Sequence, residues 1–345
     1  MRKITNWGII GLGKIARHFA NDLQKIPFAK LHAVASRTEE KAKEFAQEYG
    51  VPHFYGSYES MMECPDLDVI YIATPHAMHC ENVLMCLQHK IPVLCEKPFA
   101  INAQEVKRMV TLAKFQQTFL MEALWTRFLP TTLKVLELIE EGVIGEITSL
   151  RADFGFKSTV DPQSRLFNQS LGGGSLMDVG IYPVFLSLLL LGKPQNVQAT
   201  ASIGRTNVDE NCGMLLKYDN NRMAILQSSI ITETGTEAHI FGEKGTIRIN
   251  SRWHEPTSIT LIPYDGEPKD FFFEFDSNGY RYEAEEVMQC LRNGQKESKL
   301  MSLDFSLDLI ELLDTIRMNA GIYYPKNDNF TEAISAAKSI NFSMN

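Results

Sequence analysis

The 345-residue sequence lacks the marks of several classes of protein. Its longest apolar stretch, Ile181–Leu191, is too short to span a bilayer. No cluster of Lys and Arg offers a nucleic-acid surface, and the formal net charge is -8. The opening residues do not make a signal peptide, because Lys14 and Arg17 interrupt the apolar run and no small-residue cleavage site follows. We therefore expect a cytoplasmic protein with no nucleic-acid or membrane partner.

Disulfide and metal signatures are also missing. The six cysteines form no C-x-x-C pair, so we expect reduced thiols. His76, His79 and Cys80 lie close in sequence, but no second ligand group stands at metal spacing, and no metal is predicted. Low-complexity linkers and internal repeats are absent as well. What remains is an ordinary globular composition, with 44% hydrophobic and 22% charged residues, and enough length for two domains.

The most informative stretch stands near the start of the chain. A short apolar run at residues 7–10 meets Gly11 and Gly13, and residues 14–20 have the pattern of a helix. With Ala16 as the third small residue, this is the G-x-G-x-x-A turn of a dinucleotide-binding crossover. Gly11 permits the tight turn, Gly13 lets the backbone approach a pyrophosphate, and Ala16 lets helix and strand pack closely.

The beginning of that helix predicts an anion site. The N–H groups around Lys14 and Ile15 point out of the first turn, where the helix dipole is positive. Glycine-rich turns also end many buried strands that bind nothing. The position of this turn, between a strand and a helix, favours the cofactor-binding interpretation.

The end of the second predicted strand bears on the choice of cofactor. An acidic residue about 20 positions after the glycine turn would bind the ribose 2′-hydroxyl of NAD, and none is present. Instead Ser36, Arg37 and Thr38 offer two hydroxyls and a guanidinium, which suit a 2′-phosphate. The alternative is an arginine on a solvated strand end. We therefore predict a preference for NADP(H), with NAD(H) also possible.

Alternating strands and helices predict one doubly wound parallel sheet, the Rossmann arrangement, over residues 1–122. Further strands are predicted at 31–35, 69–73, 92–95 and 119–122, helices at 39–49, 58–62, 82–89 and 102–116, and a plain connection at 54–57. Because ligands bind at the carboxyl ends of such strands, Thr74, Pro75 and His79 are expected to border the cofactor crevice. Glu96 and Lys97 end the next strand, which places Lys97 beside the expected nicotinamide.

In residues 123–345 strands and helices no longer alternate, and strand-like segments follow one another across turns. This pattern predicts an α+β domain with a large, open, mainly antiparallel sheet. A helix is predicted at 130–141, and two more at 282–292 and 303–319. Strands are predicted at 147–156, 196–203, 213–218, 223–231, 238–241, 246–249, 259–263 and 271–275. An open sheet needs something on its second face, so a homodimer that packs sheet against sheet is expected.

A triple glycine, residues 172–174, leads into a second stretch of interest. Asp178 and Tyr182 follow it at a spacing that puts both on one face of a predicted helix, and Pro183 must either start that helix or kink it. From the local sequence alone, the favoured interpretation is that Asp178 caps the helix and Tyr182 is a half-buried packing residue.

The G-x-G-x-x-A turn at 11–16, the E-K-P motif at 96–98 and the D-x-G-x-Y motif at 178–182 resemble, in that order, the hallmarks of the Gfo/Idh/MocA oxidoreductase family. Many members carry histidine where Tyr182 stands. The stretches 95–98, 121–128, 172–182 and 282–298 are similar to the dimeric dihydrodiol dehydrogenase and NADP-dependent D-xylose dehydrogenase branch. The resemblance spans essentially the whole chain.

The resemblance implies that Lys97 and Tyr182 meet across the cofactor crevice. A tyrosine has an ordinary pKa of about 10, so an ammonium within hydrogen-bond reach would make it a better base. We therefore predict Tyr182 as the acid/base of an alcohol or carbonyl reaction, Lys97 as its electrostatic partner, and Asp178 as the holder of a second substrate hydroxyl. Trp125 and Phe154 are predicted walls of the substrate pocket, and each would also serve as plain core.

Three functions remain open at this point. The first is an NADP(H)-dependent oxidoreductase acting on a sugar or a cyclic vicinal diol. The second is a nucleotide-sensing regulator without chemistry, against which the retained Lys97 and Tyr182 argue. The third is a related enzyme for an inositol or a sugar phosphate, for which basic residues of the second domain are available: Arg151, Lys157, Arg165 and Arg205.

Overall fold

The computed structural model describes residues 4–328. Its first part alternates strands and helices. The strands are β1 (Thr5–Ile10), β2 (Ala29–Ala35), β3 (His53–Tyr55), β4 (Val69–Ile72), β5 (Val93–Glu96) and β6 (Leu120–Ala123). The helices are α1 (Lys14–Leu23), α2 (Glu39–Tyr49), α3 (His79–Gln88) and α4 (Ala103–Gln116). The strands pair in parallel in the order β3-β2-β1-β4-β5-β6, which confirms the predicted Rossmann sheet.

The strand order reverses beside β1, and this reversal places the site. β2 lies on one side of β1 and β4 on the other, so the connections that follow β1 and β4 diverge at the carboxyl edge of the sheet. β4 and β5 are buried along their whole length, as strands covered by helices on both faces must be. The crevice therefore opens above β1 and β4.

Two local predictions in this sheet need correction. Residues 54–57 are not a plain connection, because His53–Tyr55 form β3 and pair with the end of β2. The helix predicted at 58–62 is a 3₁₀ turn at Ser60–Glu63. Both are three or four residues long, too short for a periodic pattern to define them.

The second part carries a larger sheet. Its strands are β7 (Ile147–Gly155), β8 (Asn196–Ile203), β9 (Asp209–Lys217), β10 (Met223–Ser229), β11 (Ala238–Gly242), β12 (Gly245–Ile249), β13 (Ile259–Pro263) and β14 (Lys269–Phe271). Its helices are α5 (Pro130–Glu140), α6 (Ile181–Leu191), α7 (Arg281–Arg292) and α8 (Leu303–Ala320). The order is β14-β13-β12-β11-β7-β10-β9-β8, antiparallel except between β7 and β10. The predicted α+β architecture is confirmed, although the strand expected at 271–275 lies at Lys269–Phe271.

One face of this sheet packs on α6, and the other leaves apolar side chains exposed. Ala224 and Leu226 of β10 are buried, whereas Met223 and Ile225 alternate with them and are 39% and 51% exposed. Leu215 pairs with Ile225 on the neighbouring strand and is also exposed. The homodimer stays a prediction, which a measurement of the mass in solution would test.

One helical stretch, Gln169–Leu191, is long and apolar enough to cross a membrane by length and composition. Of its most apolar window, 89% is buried inside the protein. The stretch ends with α6, which packs against β7, β10 and α8. A buried core helix passes the same test, so the stretch is weak evidence of a membrane span.

One buried carboxylate of the first part of the chain holds a loop of the second part. Asp22 of α1 is fully buried and accepts hydrogen bonds from the backbone N–H groups of Asn278, Gly279 and Tyr280 at 2.9–3.0 Å. These N–H groups precede α7, which has no side-chain cap of its own. Asp22 therefore caps a helix of the second part from a helix of the first.

The predicted domain boundary after residue 122 stays a prediction. It falls in β6, the last strand of the parallel sheet. The predicted second domain runs to residue 345, and its segment 329–345 lies outside the described residues, as do residues 1–3.

Candidate active site

The glycine turn has the geometry of a cradle for a dinucleotide. Gly11 has a φ of +87°, and a Cβ on it would lie 2.8 Å from the backbone of Ala73 and Thr74, so only glycine fits. A Cβ on Gly13 would meet no described residue within 4 Å, which leaves room for a ligand to approach the backbone. Within residues 4–328 no side chain caps the beginning of α1, and its first N–H groups suit a pyrophosphate. The residues present therefore fit a dinucleotide.

A cavity of about 680 Å³ runs from this turn to the second part of the chain. Most of the predicted site residues line it: Gly11, Gly13, Lys14, Ile15, Ser36, Arg37, Thr74, Pro75, Glu96, Lys97, Trp125, Phe154, Asp178 and Tyr182. The cavity therefore brings together the predicted cofactor-binding, catalytic and substrate-binding groups. It is large enough for a cofactor and a small substrate to meet.

Three predicted residues lie outside the cavity wall. Ala16 is fully buried in α1, where its small side chain serves packing. Thr38 is the exposed residue that precedes α2, and its side chain makes no cap hydrogen bond. His79 is fully buried, and its two ring nitrogens lie 2.8 Å from the carbonyl oxygens of Thr74 and Pro98. His79 thus ties two loops together behind the crevice instead of bordering it.

Lys97, Asp178 and Arg165 form a charged cluster in which the Asp178 side chain is 7% exposed and that of Arg165 is 53% exposed. Lys97 Nζ donates to the backbone oxygen of Asp178 at 2.6 Å and lies 3.6 Å from its Oδ1. Arg165 Nη1 donates to the same Oδ1 at 2.8 Å. Burial alone would raise the pKa of Asp178, but the charges of Arg165 and Lys97 hold that pKa well below its usual range. Asp178 is therefore a carboxylate that can accept a hydrogen bond from a substrate hydroxyl.

Burial acts on Lys97 as well. It lowers the pKa of Lys97, while the charges of Asp178 and Glu96 oppose that change. Glu96 accepts a hydrogen bond from the backbone N–H of Lys97 at 3.1 Å and another from the Tyr71 hydroxyl. Glu96 lines the cavity and fixes the loop on which Lys97 stands.

Tyr182 lies next to this cluster. Its hydroxyl accepts a hydrogen bond from Trp125 Nε1 at 2.9 Å, and Lys97 Nζ lies over its ring, 4.9 Å from the centroid. Burial raises the pKa of Tyr182 well above its usual value, so the hydroxyl carries its proton. The ammonium contacts the ring face rather than the oxygen, which differs from the predicted direct pairing.

The local backbone explains how Asp178 and Tyr182 both reach the cavity. Asp178 lies in a π-helical turn at Leu176–Gly180, which runs directly into α6. Pro183, near the start of α6, has no N–H to donate to a regular helical turn before it. The single predicted helix is therefore a wide turn followed by an α-helix.

Sequence reasoning missed much of the substrate end of the cavity. The wall there includes His254, from the loop between β12 and β13, and Tyr280, from the loop before α7. His254 stacks on Phe154 with centroids 3.8 Å apart, and Tyr280 stacks on Trp125 at 4.4 Å. Burial lowers the pKa of His254 to about 3, so its ring is neutral. Neither residue belongs to a local motif, and only the fold brings them here.

A glycine turn at the end of β1, a cavity at the strand ends and a Lys–Tyr pair inside it define a dinucleotide-dependent oxidoreductase. Comparison with known families agrees. Residues 5–124 match the family described as "Oxidoreductase family, NAD-binding Rossmann fold", and residues 132–248 match the "GFO/IDH/MocA C-terminal domain". The chain belongs to the Gfo/Idh/MocA family of oxidoreductases.

The similar curated proteins include trans-1,2-dihydrobenzene-1,2-diol dehydrogenases. That of Xenopus tropicalis is 39% identical over 333 residues, which cover 93% of this chain and 99% of the relative. The Homo sapiens protein is 35% identical over 331 residues, covering 93% and 98%. These relatives confirm the predicted family and its dihydrodiol dehydrogenase branch.

Solved structures share the fold. An aldose-aldose oxidoreductase from Caulobacter crescentus, complexed with glycerol, has a TM-score of 0.85 at 24% identity and covers 93% of this chain and 98% of its own. KijD10, a 3-ketoreductase from Actinomadura kijaniata in complex with NADP and TDP-benzene, has a TM-score of 0.84 at 25% identity, covering 92% and 98%.

Proposed function

We propose that this protein moves a hydride between NADP(H) and a secondary alcohol or carbonyl of a sugar or cyclic vicinal diol, of the D-xylose or trans-dihydrodiol type. The observation that carries the proposal is the buried Tyr182 hydroxyl, in the same cavity as the glycine turn and beside Lys97 and Asp178. When bound, the nicotinamide supplies the hydride chemistry. The protein's own side chains transfer the proton and bind the substrate.

Tyr182 carries the proton in this scheme. In reduction its hydroxyl gives a proton to the carbonyl oxygen, and in oxidation its phenolate takes the proton of the substrate hydroxyl. The charge of Lys97 over the ring stabilises the phenolate, and the Asp178 carboxylate accepts a hydrogen bond from a neighbouring substrate hydroxyl. A vicinal diol or a sugar carries two such hydroxyls on neighbouring carbon atoms.

The walls suit a ring with one apolar face. Phe154 and His254 stack on one another beside Tyr182, and Trp125 stacks on Tyr280. Flat aromatic surfaces bind the C–H faces of sugars and of cyclic diols through dispersion and the hydrophobic effect. The polar groups then select the hydroxyl that reacts. The names of the dihydrodiol dehydrogenase relatives support this substrate class.

The proposal is tested by following nicotinamide absorbance with purified protein. NADP⁺ and NAD⁺ would each be offered with aldoses, cyclic trans-diols, inositols and sugar phosphates. We expect turnover with an aldose or a cyclic diol. Turnover only with a sugar phosphate or only with an inositol would show that the proposed substrate class is wrong and that this compound belongs to the correct one. Tight cofactor binding without turnover on any compound would instead favour a nucleotide-sensing regulator.

The preference for NADP(H) rests on the cavity wall near the end of β2. Ser36 and Arg37 line it, joined by Lys41 from α2, and the described wall residues of these two elements include no carboxylate. Two cations and a hydroxyl suit a 2′-phosphate, whereas an NAD site places an acidic side chain on the ribose. The NADP complex of KijD10 supports the same preference.

Replacing Arg37 by alanine is expected to weaken NADPH binding about 10- to 100-fold and to leave NADH binding nearly unchanged, since one charge-assisted contact to a phosphate contributes about 1.5–3 kcal/mol. Dissociation constants from nucleotide fluorescence would measure both. Lys43→Ala, which removes an exposed cation of α2 outside the cavity wall, is the matched control. Equal losses for both cofactors, or no loss for either, would contradict the prediction.

A further inference from the structure

The hydrogen bond on the Tyr182 hydroxyl comes from an indole, not from an ammonium. Trp125 Nε1 donates to Tyr182 Oη at 2.9 Å. Lys97 Nζ makes its hydrogen bond with the backbone oxygen of Asp178 and meets Tyr182 only over the ring face. The neutral N–H of Trp125 is therefore in direct contact with the oxygen that would exchange a proton with substrate.

This contact changes in strength with the state of Tyr182. A phenol oxygen accepts the N–H as an ordinary hydrogen bond, whereas a phenolate accepts it as a charge-assisted bond, which is about twice as strong. Trp125 and Tyr182 are each only 5% exposed, so little water weakens the difference. An indole N–H donates but does not accept, and it cannot take the proton itself. It therefore favours the phenolate form without competing for the proton.

The indole is held firmly in this position. Its ring stacks on Tyr280 with an interplanar angle of 18°. Gly279 has a φ of +109°, and a Cβ on it would lie 2.9 Å from the indole ring, so the backbone of this loop lies directly on Trp125. Asp22 accepts the N–H groups of Gly279 and Tyr280, each at 2.9 Å. The helix that begins at the glycine turn thus also anchors the loop that supports Trp125.

We propose that Trp125 is a positioning residue for Tyr182, whose N–H orients the hydroxyl and sets the pH range in which Tyr182 exchanges its proton. The proposal rests on the function proposed above and adds a role to the pocket wall predicted for Trp125. It assigns the stabilisation of the phenolate to two groups, Lys97 above the ring and Trp125 on the oxygen. Because the hydrogen bond favours the phenolate, Trp125 should lower the pH at which Tyr182 gives up its proton.

Trp125→Phe keeps an aromatic ring but removes the donor. Without the N–H the phenolate is less stable, so oxidation, which needs the phenolate, should begin at a higher pH. Reduction, which needs the phenol, should persist to a higher pH. Both limbs of the pH profiles of kcat/KM should therefore move upward by about one pH unit, the difference in strength between a charge-assisted and an ordinary hydrogen bond. A loss of packing alone would lower both profiles without moving them.

The matched control is Trp253→Phe. Trp253 is also buried and donates its Nε1 to a backbone oxygen, that of Asp153, at 2.8 Å, outside the cavity wall. Its replacement should leave the pH of both limbs in place. An unmoved profile in Trp125→Phe, or an equal shift in the control, would overturn the proposal.

Two further measurements separate the possible failures. Tyr182→Phe, assayed in parallel, tests the proposed function: if it turns over like the wild type, that function fails, whatever the Trp125 result. If Trp125→Phe does not bind NADPH or does not fold, β-(3-benzothienyl)alanine at position 125 keeps the shape of the indole and replaces its N–H by sulfur. An upward shift with that residue supports the proposal, and an unchanged profile refutes it.

Discussion

Replacing Tyr182 by phenylalanine is expected to lower kcat about a thousandfold, within the range of 10²–10⁴ that a positioned general acid or base contributes. The substitution removes one hydroxyl and keeps the ring beneath Lys97 Nζ. Because the ring remains, the fold and the binding of NADPH should be nearly unchanged. Steady-state turnover and cofactor titration on the same preparation would measure the two effects.

The matched control for this prediction is Tyr264→Phe, which removes a hydroxyl from a tyrosine that is 61% exposed and outside the cavity wall. That variant should keep the activity of the wild type. Turnover in Tyr182→Phe within a few-fold of the wild type would show that another group carries the proton. An equal loss of NADPH binding and turnover would point instead to damage to the cavity.

Replacing Asp22 by alanine is expected to lower the free energy of unfolding by about 3 kcal/mol, since the change leaves several buried backbone N–H groups without an acceptor and removes a helix cap. The Asp22 carboxylate accepts from Asn278, Gly279, Tyr280 and Arg281 at 2.9–3.3 Å. Urea unfolding followed by circular dichroism would measure the loss.

Two further variants serve as controls for Asp22→Ala. Asp22→Asn keeps one carbonyl oxygen as an acceptor and should lose less stability than Asp22→Ala. Asp265→Ala removes an exposed carboxylate from a surface turn and should change the free energy of unfolding by less than about 0.5 kcal/mol. If Asp22→Ala were as stable as Asp265→Ala, the cap between the two parts of the chain would contribute nothing.

The parts of the fold that were predicted accurately have local causes. Helix α2 lies at Glu39–Tyr49, as predicted, because Gly50 adopts the left-handed conformation that ends it. Helix α4 begins after Asn102, whose side chain accepts from the Glu105 N–H. Where the cause is pairing between distant segments, the prediction was less accurate. The aromatic run 271–275 suggests a strand, yet the register with β13 places β14 at Lys269–Phe271.

The residues of the candidate site show the same contrast between local motifs and contacts that depend on the fold. Gly11 and Lys97 were predicted at the crevice from their places at strand ends, and Tyr182 was placed there by the resemblance to the family. All three line the cavity. Arg165 appeared only as one of several available cations, and its ion pair with Asp178 depends on the fold of the loop before the π-helical turn. His79 shows the converse, since it stands near the strand end but its ring faces inward.

The stacked pair of Phe154 and His254 has a consequence for how this enzyme could change over evolution. Phe154 belongs to β7 and His254 to a loop of the second sheet, whereas Lys97 follows a strand of the first sheet and Tyr182 belongs to α6. The groups that shape the substrate space and those proposed to exchange the proton are therefore encoded by separate segments. Substitutions in β7 or in the loop that carries His254 would change the shape of the substrate space and leave Lys97 and Tyr182 in place.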